Sequence, residues 1–288
     1  MTKIRNYLER ALNHVEVLPP ISNVFYKILD LTDNEKNSRE ALIRCVSLDQ
    51  AIAAKVLQTI NSAYFGMGQK VSSLEVAVGL LGDKQIRDIA IMCTASGLLR
   101  VPIRGYGVPA GEFWLHSVTA AIAARLLAER FGAWHRDAAF AAGLLHDIGK
   151  LVIDRLIERP DKEVLAKIAE DMLPGFHTKE IDLYGFDHCA IGFFLARKWN
   201  FTKELTSAIA FHHYPDLDVD HREMIQVVYF ADVLAHITAM EEWDPEFIVR
   251  LEAEGSIPFD LSARVIEEIY GELMRELGNS KTFLGIDL

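Results

Sequence analysis

Only three cysteines, Cys45, Cys93 and Cys189, occur in the 288 residues, far apart and with no C-x-x-C pair. That excludes a disulfide framework and a thiolate zinc site, and it fits a reducing compartment. Long apolar runs are also missing. Val118 to Ala128 is the longest apolar helix candidate; Arg125 interrupts it, and it falls far short of the roughly 20 residues of a membrane span. The stretch Met1 to Val17 alternates charge with apolar residues and lacks the uncharged core of a secretion signal, so a cytoplasmic protein without a membrane segment is expected. No Lys/Arg block is present and the net charge is -11, which argues against a nucleic-acid or anionic-membrane surface. A local basic pocket for a small phosphorylated ligand remains compatible with this balance. There is no G-x-G-x-x-G, no Walker loop, no repeat and no low-complexity tract, so the usual nucleotide cradles are absent.

What is present is apolar periodicity of three and four residues from end to end. Leu18-Pro19-Pro20 forms a rigid entry to a first stripe (Val24, Ile28, Leu31) that Asp33-Asn34 breaks, and a second stripe runs from Ala41 to Val46. Asp49 caps a helix carrying Ile52, Val56 and Ile60, which stops near Asn61. Ser72 with Glu75 reads as a capping box for a helix ended by Gly82, and Asp83 starts another with Ile86, Ile89 and Cys93. Val101 to Gly111, with two prolines and three glycines, is the best boundary, giving an N-terminal helical part at 1–107 and a second at 108–288. The second part predicts helices over 112–130, closed by Gly132, then 137–148, 187–199, 202–211, 223–240 and 261–277. The expected class is all-α.

The helices of the second part carry ligand-type residues on otherwise apolar stretches: His116, His146-Asp147, His188, His212-His213 and Asp232, with Glu112 one turn before His116. A buried unpaired carboxylate costs several kcal/mol, roughly, so Asp147 and Asp232 call for a cation. Imidazole with carboxylate suits zinc, iron, manganese or nickel, and a histidine-rich, thiolate-free set favours iron. Each residue also has a plainer reading. His116 and His188 singly fit a core histidine bonded to a carbonyl, and His212-His213 fits a helix end. His236 fits a partner for Asp232, Cys189 fits the core, and His14, His135, His177 and His221 sit in ordinary polar contexts. Lys150, at i+3 from Asp147, is either a surface charge or a catalytic cation for a phosphate.

The order His, His-Asp, His, His-His, Asp resembles the HD superfamily of metal-dependent phosphohydrolases. Leu18-Pro19-Pro20, Asn61-Ser62-Ala63-Tyr64-Phe65-Gly66 and Val71-Ser72-Ser73-Leu74-Glu75-Val76-Ala77-Val78 are similar to hallmark segments of the HDOD domain, the HD-related output domain of bacterial signalling proteins. The resemblance implies a multi-helix HD-like core with an N-terminal helical subdomain. It puts His116, His146, Asp147 and Asp232 on one ion and His188 with His212 or His213 on a second, Asp147 bridging. Glu112 and the remaining histidine match positions of an extra metal in the HD-GYP phosphodiesterases. The HD-GYP signature itself is missing, since His212-His213 runs into Tyr214-Pro215-Asp216, and cyclic di-GMP hydrolysis is therefore disfavoured. Three functions stay open: a signalling module that docks protein partners, a metal-dependent phosphohydrolase, and a di-iron redox or dioxygen sensor.

Overall fold

The computed structural model describes residues 2–32, 39–61, 70–131, 136–156, 176–239 and 261–284. Among these residues there is no strand, only an isolated bridge between Ile103 and Val108, so the fold is all-α as expected. No helix among them is long and apolar enough to cross a membrane. Gly132, His135, Asp33-Asn34 and Ser62 to Gly66 lie outside the described residues. The chain divides into two compact units, one of Met1–Pro20 with Leu99–Glu272, the other of Ile21–Leu98 with Leu273–Leu288.

In the smaller unit, α2 (Asn23–Thr32), α3 (Arg39–Ser47), α4 (Gln50–Ile60) and α5 (Leu74–Leu99) bury one stripe each, with Phe25, Ile28, Val46, Ile52 and Val56 fully enclosed. Asp49 caps α4, its carboxylate accepting from the amides of Ala51 and Ile52. Asp49→Ala should therefore cost about 1 kcal/mol, read as a lower midpoint in denaturant; an unchanged midpoint would remove the cap from the account. The side chain of Asn61 donates to the carbonyl and accepts from the amide of Val71, at 2.7 Å each, which fixes where the chain re-enters. One correction follows there. Ser73, not Ser72, caps α5, because the helix begins at Leu74 and the third helical amide, Val76, reaches the Ser73 hydroxyl. Gly82, at φ 82°, interrupts α5 where the sequence predicts a stop, a left-handed conformation that glycine alone adopts cheaply.

The larger unit is built on α6 (Glu112–Arg130), buried almost all round from Phe113 to Ala128. Its run of alanines lets α7 (Arg136–Leu145) approach so closely that a Cβ on Gly143 would lie 2.6 Å from the Ala120 carbonyl oxygen. After α8 (Lys150–Leu156) come α9 (Phe176–Tyr184), α10 (His188–Lys198), α11 (Lys203–Phe211), α12 (Arg222–Ala239) and the first part of α13 (Ala263–Leu284), whose residues from Leu273 belong to the smaller unit, while α1 (Thr2–Val17) packs on α8 and α10. The sequence runs α7 on to Ile148, but the helix ends at Leu145 and residues 146–149 form a turn. Tight packing explains this. Gly149 sits against α10 where a Cβ would lie 1.9 Å from the His188 carbonyl oxygen, an approach that the bulk of a continuing helix would forbid. The turn hands His146 and Asp147 to the interior, 0 % and 2 % exposed.

Candidate metal centre

Five elements aim polar atoms at one enclosed point: α6 brings His116, the turn brings His146 and Asp147, α12 brings Asp232, α10 brings His188 and the end of α11 brings His212. His116 Nε2 lies 3.1 Å from Asp232 Oδ1 and 3.5 Å from Asp147 Oδ2. His146 Nε2 is 3.4 Å from each of those oxygens and 3.4 Å from His116 Nε2. On the other side of the same carboxylate, Asp147 Oδ1 lies 3.1 Å from His188 Nε2 and 3.9 Å from His212 Nε2, and those two nitrogens are 3.3 Å apart. Bonds of about 2.1 Å to a common ion place ligand atoms about 3.0–3.5 Å from one another. Both groups have nearly that spacing already, and each oxygen of Asp147 faces one of them.

Hydrogen bonding prepares the nitrogens. His146 Nδ1 is 2.7 Å from the Gly143 carbonyl, His212 Nδ1 is 3.0 Å from the Ile209 carbonyl, and His188 Nδ1 is 2.8 Å from Glu180 Oε2. These partners only accept, so Nδ1 carries the proton and the Nε2 lone pair of each neutral ring points into the cluster. Lone pairs facing carboxylate oxygens repel unless positive charge enters. Asp147 Oδ1 and Asp232 Oδ1 are buried with no hydrogen-bond partner, as a missing cation would leave them.

Without an ion, protons and Lys150 supply the charge. Burial pulls the His146 imidazole down, but Asp147 outweighs it and holds the ring up to about 10. Burial lowers His116 to about 4 despite Asp232. Burial opposes ionisation of Asp147, yet Lys150, whose ammonium is 2.5 Å from Oδ2, and His146 keep it well below the usual carboxylate range. The residues present therefore fit one or two divalent cations, with ligand-ready imidazoles and uncompensated carboxylate oxygens.

All nine residues singled out from sequence can be placed. His116, His146, Asp147, His188, His212 and Asp232 converge, with Lys150 on Asp147. His212, and not His213, turns its Nε2 toward His188 and Asp147. His213 stands beside it, ring centroids 4.2 Å apart, its Nδ1 buried with no hydrogen-bond partner. Glu112 is exposed in the first turn of α6 and belongs to none of the clusters of metal-ligand atoms.

Sequence reasoning missed two participants, His177 and Glu180. His177, read as ordinary, stacks on His213 at 4.5 Å and 18°. His236, which the sequence offered as a partner for Asp232, bonds through Nδ1 to the Asp232 carbonyl at 2.9 Å and lies 3.1 Å from Oδ1. Glu180 came from a stretch with no helical signal recognised, although it is a lone acidic residue eight positions before His188. Cys189 lies 3.7 Å from both ring nitrogens of His212. Burial raises the Cys189 thiol to about 11, and its Sγ lies within 4.8 Å of a ligand atom of each of His188, His212 and His213.

A family model, described as the HDOD domain, matches residues 18–215. A protein from Shewanella amazonensis SB2B named "Putative phosphohydrolase" is 25% identical, with a TM-score of 0.67 over 96% of this chain and 97% of that one. An "HDOD domain protein with unknown function" from Geobacter sulfurreducens is 24% identical, with a TM-score of 0.66 over 98% of this chain and 96% of its own. An "Uncharacterized protein" of Treponema pallidum is 23% identical over 77% of this chain, which spans 42% of that protein's length.

Proposed function

This chain belongs to the HDOD domain family, and from that premise we propose that it is a signal-transduction module whose HD-like half holds two divalent transition-metal ions. The observation that carries the metal reading is Asp147, its two oxygens facing two separate imidazole groups. His116, His146, Asp147 and Asp232 would hold one ion, His188, His212 and Asp147 the other. Iron is the metal expected, because the donors that face Asp147 are imidazole nitrogens, joined by carboxylate oxygens. Among the described residues of 1–107 there is helical surface and no cluster of metal-ligand side chains, which suits contact with signalling proteins.

Elemental analysis of protein purified without added metal should return at least one transition-metal equivalent, mostly iron. Protein free of metal that also fails to bind added ions would end this reading.

One feature favours a second reading, a metal-dependent phosphohydrolase. Lys150 is held at the cluster by Asp147, with 13% of its side chain exposed, where its ammonium can offset charge on a phosphoryl group. The similarity to the Shewanella protein supports the same chemistry. Bound divalent ions would supply Lewis-acid polarisation and a source of nucleophilic water. Lys150 would orient the anion. Cyclic di-GMP is a poor candidate substrate: Asp216, Asp218 and Asp220 follow the paired histidines, although Asp216 is paired with Arg222 and Asp218 with His221. Metal-replete protein should turn it over far below 1 per second, roughly the low end of ordinary enzyme rates. Turnover at or above that rate, abolished in Asp147→Ala, would make the enzyme the better reading.

A further inference from the structure

Gly185, at φ 84°, ends α9, and Asp187 caps α10 two residues later, its carboxylate accepting from Ala190 N–H. So short a connection lays α9 against the start of α10. The first amides of a helix have no partner within it, and an acidic group placed there is favoured. Glu180 fills the place. Its Oε2 accepts from the backbone amide of His188 at 2.6 Å and from His188 Nδ1 at 2.8 Å. Its Oε1 accepts from the hydroxyl of Tyr106. Tyr106 stands on the 3-10 turn Arg104–Tyr106, which is pinned where Asp154 Oδ1 of α8 accepts from the Gly105 amide at 2.6 Å. All three side chains are enclosed: Tyr106 is 7 % exposed, Glu180 4 % and His188 0 %.

We propose that Glu180, itself fixed by Tyr106, is a positioning residue that locks the ring angle and tautomer of His188 and strengthens it as a metal ligand. This rests on the metal reading above. A carboxylate on Nδ1 forces the proton to that nitrogen, leaves Nε2 bare toward Asp147 and His212, and increases the donor strength of the ring. Two bonds to one oxygen, from amide and ring, fix the imidazole relative to its own backbone. Loss of such a partner typically weakens metal binding by 10–100-fold. His146 and His212 have a backbone carbonyl on Nδ1 where His188 has a carboxylate, the stronger acceptor.

The test is titration of metal-free protein with Mn(II), counting the free ion by electron paramagnetic resonance. Wild type should bind two equivalents. Glu180→Gln, which keeps shape and removes charge, should weaken one of them by about 10–100-fold and leave the other in place. A purely structural role would lower both together with the melting temperature. Tyr106→Phe, which keeps the ring and removes only the donor, should weaken the same equivalent by less, and it carries the test if Glu180→Gln does not fold. Two equivalents bound as tightly by the variants as by wild type would overturn the role of Glu180 while leaving the metal centre standing. Absence of binding by wild type would overturn the metal reading and this inference with it.

Discussion

Asp147→Ala should empty the whole centre, leaving less than about a tenth of the wild-type metal after purification, whereas His213→Ala should keep most of it. The difference lies in geometry. Asp147 is the one side chain with atoms in both donor groups, Oδ2 facing His116 and His146 and Oδ1 facing His188 and His212. His213 is adjacent in sequence to His212 but stacks on His177. Asp147→Ala also breaks the buried ion pair with Lys150, and loss of one member of such a pair costs about 3–5 kcal/mol, so the metal-free variant should melt below the metal-free wild type. Asp147→Asn separates the two effects, because it keeps the shape of the side chain while losing its charge. Equal metal loss from Asp147→Ala and His213→Ala, measured by elemental analysis, would show that the bridging role is wrongly placed.

Gly149→Ala should be the most damaging change of a single methyl group. The added Cβ would meet the His188 carbonyl oxygen at 1.9 Å and Gly192 N at 2.9 Å, and both are backbone atoms that no rotamer change can move. The turn or α10 must give way, at about 3 kcal/mol if overpacking is the guide, which lowers the melting temperature by about 6–12 °C in a domain of this size. His188 rides on the displaced backbone, so metal content should fall as well. Gly271→Ala is the control: it lies within α13 with nothing within 4 Å of the new methyl, and should be neutral or stabilising by about 0.5–1 kcal/mol. A melting temperature for Gly149→Ala within about 2 °C of wild type would sink the close-approach argument.

Much of this architecture is legible without coordinates, because helices declare themselves locally. Asp49, Thr202 and Asp187 stand where a side-chain oxygen can take the first free amides, and each does so. The apolar spacing of three and four residues marks α4, α6 and α12 because burial of one face is what stabilises each helix. The metal-type residues were visible for a complementary reason. A charged or imidazole side chain inside an apolar helix is costly unless compensated, so Asp147 and Asp232 stand out against their neighbours.

The order and type of the ligand residues, the all-α class and most helix starts are determined by the sequence alone, since each depends on residues within a turn or two of one another. The tertiary structure decides what depends on contacts across the chain. It turns His212 Nε2 toward His188 and Asp147 and stacks the neighbouring His213 on His177, because only packing says where each of two adjacent side chains at a helix end goes. It breaks α7 at Leu145, because Gly149 must meet a backbone 39 positions further on at His188. It leaves Glu112 in solvent despite a spacing that matches His116. And it brings Glu180 and Tyr106, 74 residues apart, to the back of His188, a partnership with no local signature because neither helix periodicity nor residue type reports what lies across a packed interface.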